Sequence, residues 1–167
     1  METAVDITGS EDDEAFFDAM TGDRDPLVFV IKAAAYIERE IYRLLHALAV
    51  SPKAIDDLDL ELSGAITLSV AFGLDPTLAV PLRSLATVRN RFAHRTEATL
   101  GAGDVRNLWK TLAEREKTGF SLIWRRLRPD ASPLPRVDDP AEAFCFMAVC
   151  LRAAVTAERL RLIGLAD

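Results

Sequence analysis

The chain is poor in the residues from which metal and nucleophile sites are built: its 167 residues include two histidines and two cysteines. His46 and His94 are far apart, and neither joins a carboxylate–histidine pattern, so neither a dedicated metal site nor a cofactor is expected. Cys145 and Cys150 stand five apart inside an apolar run. That spacing is neither a redox nor a zinc element, and a helix turns the two thiols to different faces. Both are expected as buried, reduced thiols of a cytoplasmic protein. There is no Gly-rich phosphate loop, no GxSxG turn and no internal repeat. The first residues are acidic and lack an apolar centre, so a signal peptide is not expected. The apolar helices carry charges within each turn, so no membrane span is expected either. Aromatics are scarce at 7%, and no stretch alternates with period two for long enough to predict a sheet.

Half of the residues are apolar and 28% are charged, which suits a packed core. The net charge of −6 is unevenly spread: residues 1–25 hold nine acids against Arg24 alone, leaving 17 acids and 19 bases in the rest. A protein that coats nucleic acid through overall positive charge is disfavoured by this balance, whereas a local basic patch is not. Residues 1–24 are expected to form an acidic, solvated tail, with a short helix over 11–20 capped by Ser10. A docking arm for a basic surface is the sharper alternative.

The remainder, 25–167, reads as one all-α domain, a bundle of about five to six helices. Asp25-Pro26, Asp75-Pro76 and Asp139-Pro140 each place a capping carboxylate before a proline that needs no donor in the first turn. The first helix follows over 27–50, with Ile37, Ile41, Leu44, Leu45 and Leu48 on one stripe and Pro52 as its stop. Helices are then expected over 61–72 and 76–94, with a bend at Pro81, and over 104–116, capped by Asp104. Gly119 is expected to interrupt, leaving a short helix over 120–126. Four prolines mark 129–140 as a loop before the last helix, 141–162.

The segment Arg89-Asn90-Arg91-Phe92-Ala93-His94 carries the most chemistry. Between Pro76 and Thr96 there are four arginines (Arg83, Arg89, Arg91, Arg95) and no acid, a candidate phosphate-binding set. On a helical projection Leu78, Leu82, Leu85, Phe92 and Ala93 form the apolar arc with Arg89 in its middle. A guanidinium there needs a partner, and Glu38 and Glu40 are the expected carboxylates of a structural ion pair. Asn90 is expected to hydrogen-bond His94 one turn on. The functional alternative is an anion site in which His94 moves a proton beside Arg89. Arg89 and His94 point roughly 140° apart on an ideal helix, which weighs against catalysis by one copy of the chain. Trp109 and Trp124 read as core or interface anchors, His46 as a half-buried helix residue, and Arg125, Arg126 and Arg128 as a solvated basic cluster.

Arg89 and His94, four residues between them, resemble the Arg-x4–6-His motif of HEPN domains, all-α proteins that are often dimeric. The wider pattern is similar to one branch, the mannitol operon repressor-like (MltR) proteins. It comprises Ala35-Tyr36-Ile37-Glu38-Arg39-Glu40, the helix from Leu62-Ser63 to Phe72-Gly73-Leu74, the run from Val88 to His94, and the closing Asp138-Asp139-Pro140 helix. The similarity covers residues 24–163. It implies a non-enzymatic homodimer associated with transcriptional regulation. With no basic recognition helix, contact through a protein partner is expected in place of direct DNA binding. The HEPN resemblance implies the alternative of a metal-independent endoribonuclease. Arg89 would hold the scissile phosphate of an RNA, His94 would take the 2′-hydroxyl proton or protonate the leaving oxygen to leave a 2′,3′-cyclic phosphate, and Asn90 would orient the phosphate or the imidazole. Thr96 stands where some HEPN toxins carry a tyrosine.

Overall fold

The computed structural model describes residues 25–95 and 97–165; the tail over 1–24 lies outside them. The described residues form seven α-helices and no strand. The three Asp-Pro pairs start the three long helices: α1 (Pro26–Leu48), α4 (Pro76–His94) and α7 (Pro140–Leu162). In each, the aspartate accepts first-turn N–H groups: Asp25 from Leu27 at 2.9 Å, Asp75 from Thr77 at 2.8 Å, and Asp139 from Ala141 at 2.9 Å and Glu142 at 3.1 Å. Donors that would be orphaned at the helix start are thereby satisfied.

α1 and α7 run parallel through the centre. Phe29 and Phe144, each in the first turns of its helix, have ring centroids 6.4 Å apart. Further along the same pair, Arg159 Nε donates to Glu40 Oε1 at 2.7 Å. α4 runs the opposite way, because Arg161 near the end of α7 donates to the carbonyl of Gly73, just ahead of α4. The stripe read from sequence is the core face of α1: Ile37, Ile41, Leu44 and Leu45 are fully buried, against Leu82 and Leu85 of α4 and Phe144, Met147 and Leu151 of α7. Each such side chain contributes about 1.5–3 kcal/mol by leaving water. By length and composition α7 is apolar enough to cross a membrane, with a mean hydropathy of 1.4 in its most apolar stretch. Its most apolar face is occupied by the bundle core, and Arg152 and Arg159 interrupt its length.

The shorter helices depart from expectation at three places. Pro52 ends α1 but also opens a helix, α2 (Pro52–Asp56), held against α1 by His46 Nε2 and Asp56 Oδ1 at 2.7 Å. After α3 (Leu62–Ala71), the segment predicted as one helix over 104–116 divides into α5 (Ala102–Thr111) and the first turn of α6 (Glu114–Leu127). Gly119 lies within α6 and does not interrupt it. Its backbone keeps helical hydrogen bonds and the lack of a side chain leaves the ladder intact, so a lone glycine weakened the helix without ending it. Gly73 does end a helix: at φ 106° it takes the left-handed turn after α3, a conformation that L side chains avoid.

Candidate functional site

The arginine-rich end of α4 is pulled apart by its neighbours. Arg83 is exposed and donates to Thr67 Oγ1 at 3.3 Å, beside a shallow hollow over α3. Arg91 turns to the start of α5 and grips Asp104 with both nitrogens, at 2.8 and 2.9 Å, while its Nη2 also donates to the carbonyl of Thr99. Asp104 in turn accepts the Gly101 N–H at 3.0 Å, so one carboxylate ties two helices and caps one. Burial raises the Asp104 pKa, but the Arg91 hydrogen bond, the Gly101 amide and the Arg91 charge together outweigh it and hold the group below the ordinary range. Arg95 is the exposed C-cap, and His94 is the exposed last residue of α4. With Arg89 in a cleft of its own, the four arginines are spread over four surroundings and do not form a single phosphate cradle.

Arg89 is half-buried and lines a polar cleft of about 160 Å³ with Glu38, Glu61, Ser63 and Asn90. The side chain of Asn90 accepts from Arg89 Nη1 at 3.0 Å, where a bond to His94 was expected. Burial raises the Glu38 carboxyl above its usual value, and the charge of Arg89 offsets part of that rise. The Tyr42 phenol, which donates to the carbonyl of Leu60, is also raised, by burial first and by Glu38 second. Two carboxylates against one guanidinium make a poor seat for a phosphate. His94 is not part of this cleft. The chain thus brings together Arg89, Asn90 and Glu38, and leaves His94 on another side of the same continuous helix.

The expected pairing of Arg89 with Glu40 is corrected by the structure. Glu40 is 1% exposed, and its carboxylate is held by Arg159 of α7 at 2.7 Å and by Arg43 at 3.2 Å. Position decides this: Glu40 faces the α1–α7 seam, and Glu38, two residues earlier, faces α3 and α4. Ala93, placed by projection on the core arc, is exposed, since α4 meets its neighbours through Leu78, Leu82, Leu85, Val88 and Phe92. Among the described residues no group of three or more His, Cys, Asp or Glu side chains could hold a metal ion.

A second feature escapes the sequence reading. α6 packs chiefly on α7, and the two helices enclose an apolar groove of about 410 Å³. Phe120, Trp124 and Phe146 form an aromatic cluster in its wall, with ring centroids of Phe146 at 6.3 Å from Phe120 and 5.1 Å from Trp124. Trp124 Nε1 donates to the carbonyl of Ser132 at 3.1 Å, which fixes the indole against the Pro-rich loop. Ile123 and Leu127 stand on the rim, and the Arg128–Glu142 ion pair lies at one end. Cys145 and Cys150 line the same groove; burial pushes their thiols up to about 11 and about 12, the charge of Glu142 adding to the first. Phe120, Ile123, Trp124 and Leu127 share one face of α6, a pattern present in the sequence that names an apolar face without saying whether it is covered. Comparison with protein-family models, curated proteins and solved structures finds no match to this chain.

Proposed function

We propose that this is a non-enzymatic helical interaction protein that acts through protein–protein contacts, with the α6–α7 groove as its contact surface. One observation supports the reading: the groove has an aromatic wall, and its rim residues Ile123 and Leu127 are 47% and 58% exposed. An apolar face of this kind gains by receiving a helix, because both surfaces leave water together. The first occupant is a second copy of the chain. An isologous contact sets each rim against its equivalent and covers Ile123 and Leu127 of both protomers, giving a homodimer. A role associated with transcriptional regulation, exerted in the cytoplasm through a protein partner and without direct DNA contact, follows from the mannitol operon repressor-like resemblance and belongs to this proposal.

Light scattering on the wild type and on Ile123→Asp/Leu127→Asp tests it. The wild type is expected to be a dimer and the variant a monomer of unchanged helicity; a monomeric wild type, or a variant of wild-type mass, overturns the assignment. A separate incubation with mixed RNA in EDTA addresses the ribonuclease alternative. Cleavage that Arg89→Ala and His94→Ala each abolish would replace the interaction reading with that one.

A further inference from the structure

The polar cleft beside α4 has binding capacity that the fold does not use. Arg89 and Glu38 both line it and are half-buried, yet no ion pair joins them. Among the described residues Arg89 makes a single hydrogen bond, to Asn90, and the Glu38 carboxylate accepts none. Charged groups drawn partly out of water with their donors and acceptors unmet are costly, and a ligand that meets them recovers that cost. Glu61 and Ser63 line the same cleft and are exposed, so a solute can enter.

The start of α3 adds a second attraction for an anion. Leu62 and Ser63, the first two residues of this ten-residue helix, line the cleft, and the side chain of the N-cap residue Glu61 makes no capping bond. The positive end of α3 therefore stands at the cleft together with the Arg89 guanidinium. Against these are set two carboxylates, Glu38 and Glu61, which suit a cation. One cleft thus offers receptors for both signs.

Size narrows the ligand further. A volume of about 160 Å³ equals that of about five molecules of liquid water, which admits the ammonium–carboxylate head of an α-amino acid but not a nucleotide. The excess of carboxylate repels a dianion, whereas a zwitterion brings no net charge. Ser63 also borders the shallow hollow over α3, where Leu58, Leu60, Leu68 and Ala71 present an apolar surface. A side chain that leaves the head at Ser63 comes to rest there.

We propose that this cleft binds a free α-amino acid with an apolar side chain. Its carboxylate accepts from Arg89 and the first amides of α3, its ammonium donates to Glu38 and Glu61, and its side chain covers the α3 hollow. Both charges must sit on one carbon, so a peptide terminus, which carries one of the two, is a poor substitute. The cleft shares no residue with the α6–α7 groove, and the proposal is independent of the dimer.

Isothermal titration calorimetry of the full chain with L-leucine tests it. Saturable binding is expected, about tenfold tighter than that of leucinamide or isocaproate, because each analogue loses hydrogen bonds to a charged group. Glycine, with nothing to lay on the hollow, should also bind about tenfold more weakly. Arg89→Gln and Glu38→Gln each remove one charge, and circular dichroism verifies their folds. Each should weaken leucine binding about tenfold, while Ile123→Asp/Leu127→Asp should bind as the wild type does. Absence of saturable binding at millimolar leucine overturns the proposal. So does leucine binding that survives both cleft substitutions, or an affinity equal to that of leucinamide, isocaproate or glycine. Loss of binding in a folded Ile123→Asp/Leu127→Asp would move the site to the groove and overturn it as well. Inorganic phosphate that binds more tightly than leucine, and is released by Arg89→Gln, would make the cleft an anion site instead.

Discussion

Two glutamates a single residue apart on α1 have opposite fates. Glu40 is 1% exposed and takes Arg159 and Arg43 as partners; Glu38 is half-buried and feels Arg89 through space, without a carboxylate–guanidinium bond. Removing one member of a buried ion pair strands the other, which costs about 3–5 kcal/mol. Glu40→Ala is therefore expected to lower unfolding free energy by about 3 kcal/mol in urea titrations. Arg89→Ala, whose one hydrogen bond is to the neighbouring exposed Asn90, should cost less than about 1 kcal/mol. A larger loss at Arg89 than at Glu40 would reverse the assignment of the buried pair. Sequence reasoning started from Arg89 and offered Glu38 and Glu40 as its carboxylates; the structure pairs Glu40 with Arg159 and Arg43, and leaves Glu38 near Arg89. Arg159 is 119 residues from Glu40, and no local pattern reports which distant helix will lie against a given face.

At the scale of elements, capping chemistry was legible and helix interruption was not. Asp before Pro acts within one turn, so α1, α4 and α7 begin where the sequence placed them. Gly119 and Gly73 separate the two ways in which a glycine can matter. Gly119 sits inside α6 with nothing within 4 Å of where a Cβ would stand. Gly119→Ala should therefore stabilise the protein by about 0.5–1 kcal/mol, because alanine removes backbone freedom from the unfolded chain. Gly73→Ala should destabilise it by about 1 kcal/mol or more, since φ is 106° and the new Cβ would come within 3.1 Å of Leu162. Paired thermal melts check both, and melting temperatures that move in the same direction would contradict this account. The division between α5 and α6 at 112–113 carried no such signal, because neither Leu112 nor Ala113 is a breaker by type.

For the whole molecule, the two thiols report on α6–α7 packing. Their pKa values stand at about 11 and about 12 against an ordinary 9.0. Between the ordinary value and these raised ones the unfolded chain has released protons that the folded chain still holds. The folded state is therefore favoured below pH 9 and loses that advantage as pH rises toward 12. Stability measured by urea should fall over this alkaline window, and Cys145→Ala/Cys150→Ala should flatten the fall. An identical slope in the variant would show that the thiols are not buried in solution. Native thiol labelling at pH 8 should be slow for the same reason, and should accelerate on unfolding.

The sequence by itself determined the all-α class, the three capped long helices and the apolar stripe of α1, because periodicity and capping are local and act before any helix meets another. It also determined the charge contrast between the acidic first 24 residues and the rest. Tertiary structure decided how the charged side chains are shared out. It sent Arg91 to Asp104, Glu40 to Arg159 and Arg89 to a cleft without His94, and among the described residues it opened an apolar groove between α6 and α7. The physical reason is that a helical projection fixes the direction in which a side chain leaves its own helix. Only the packing of the other helices settles whether it meets a carboxylate, an apolar wall or water.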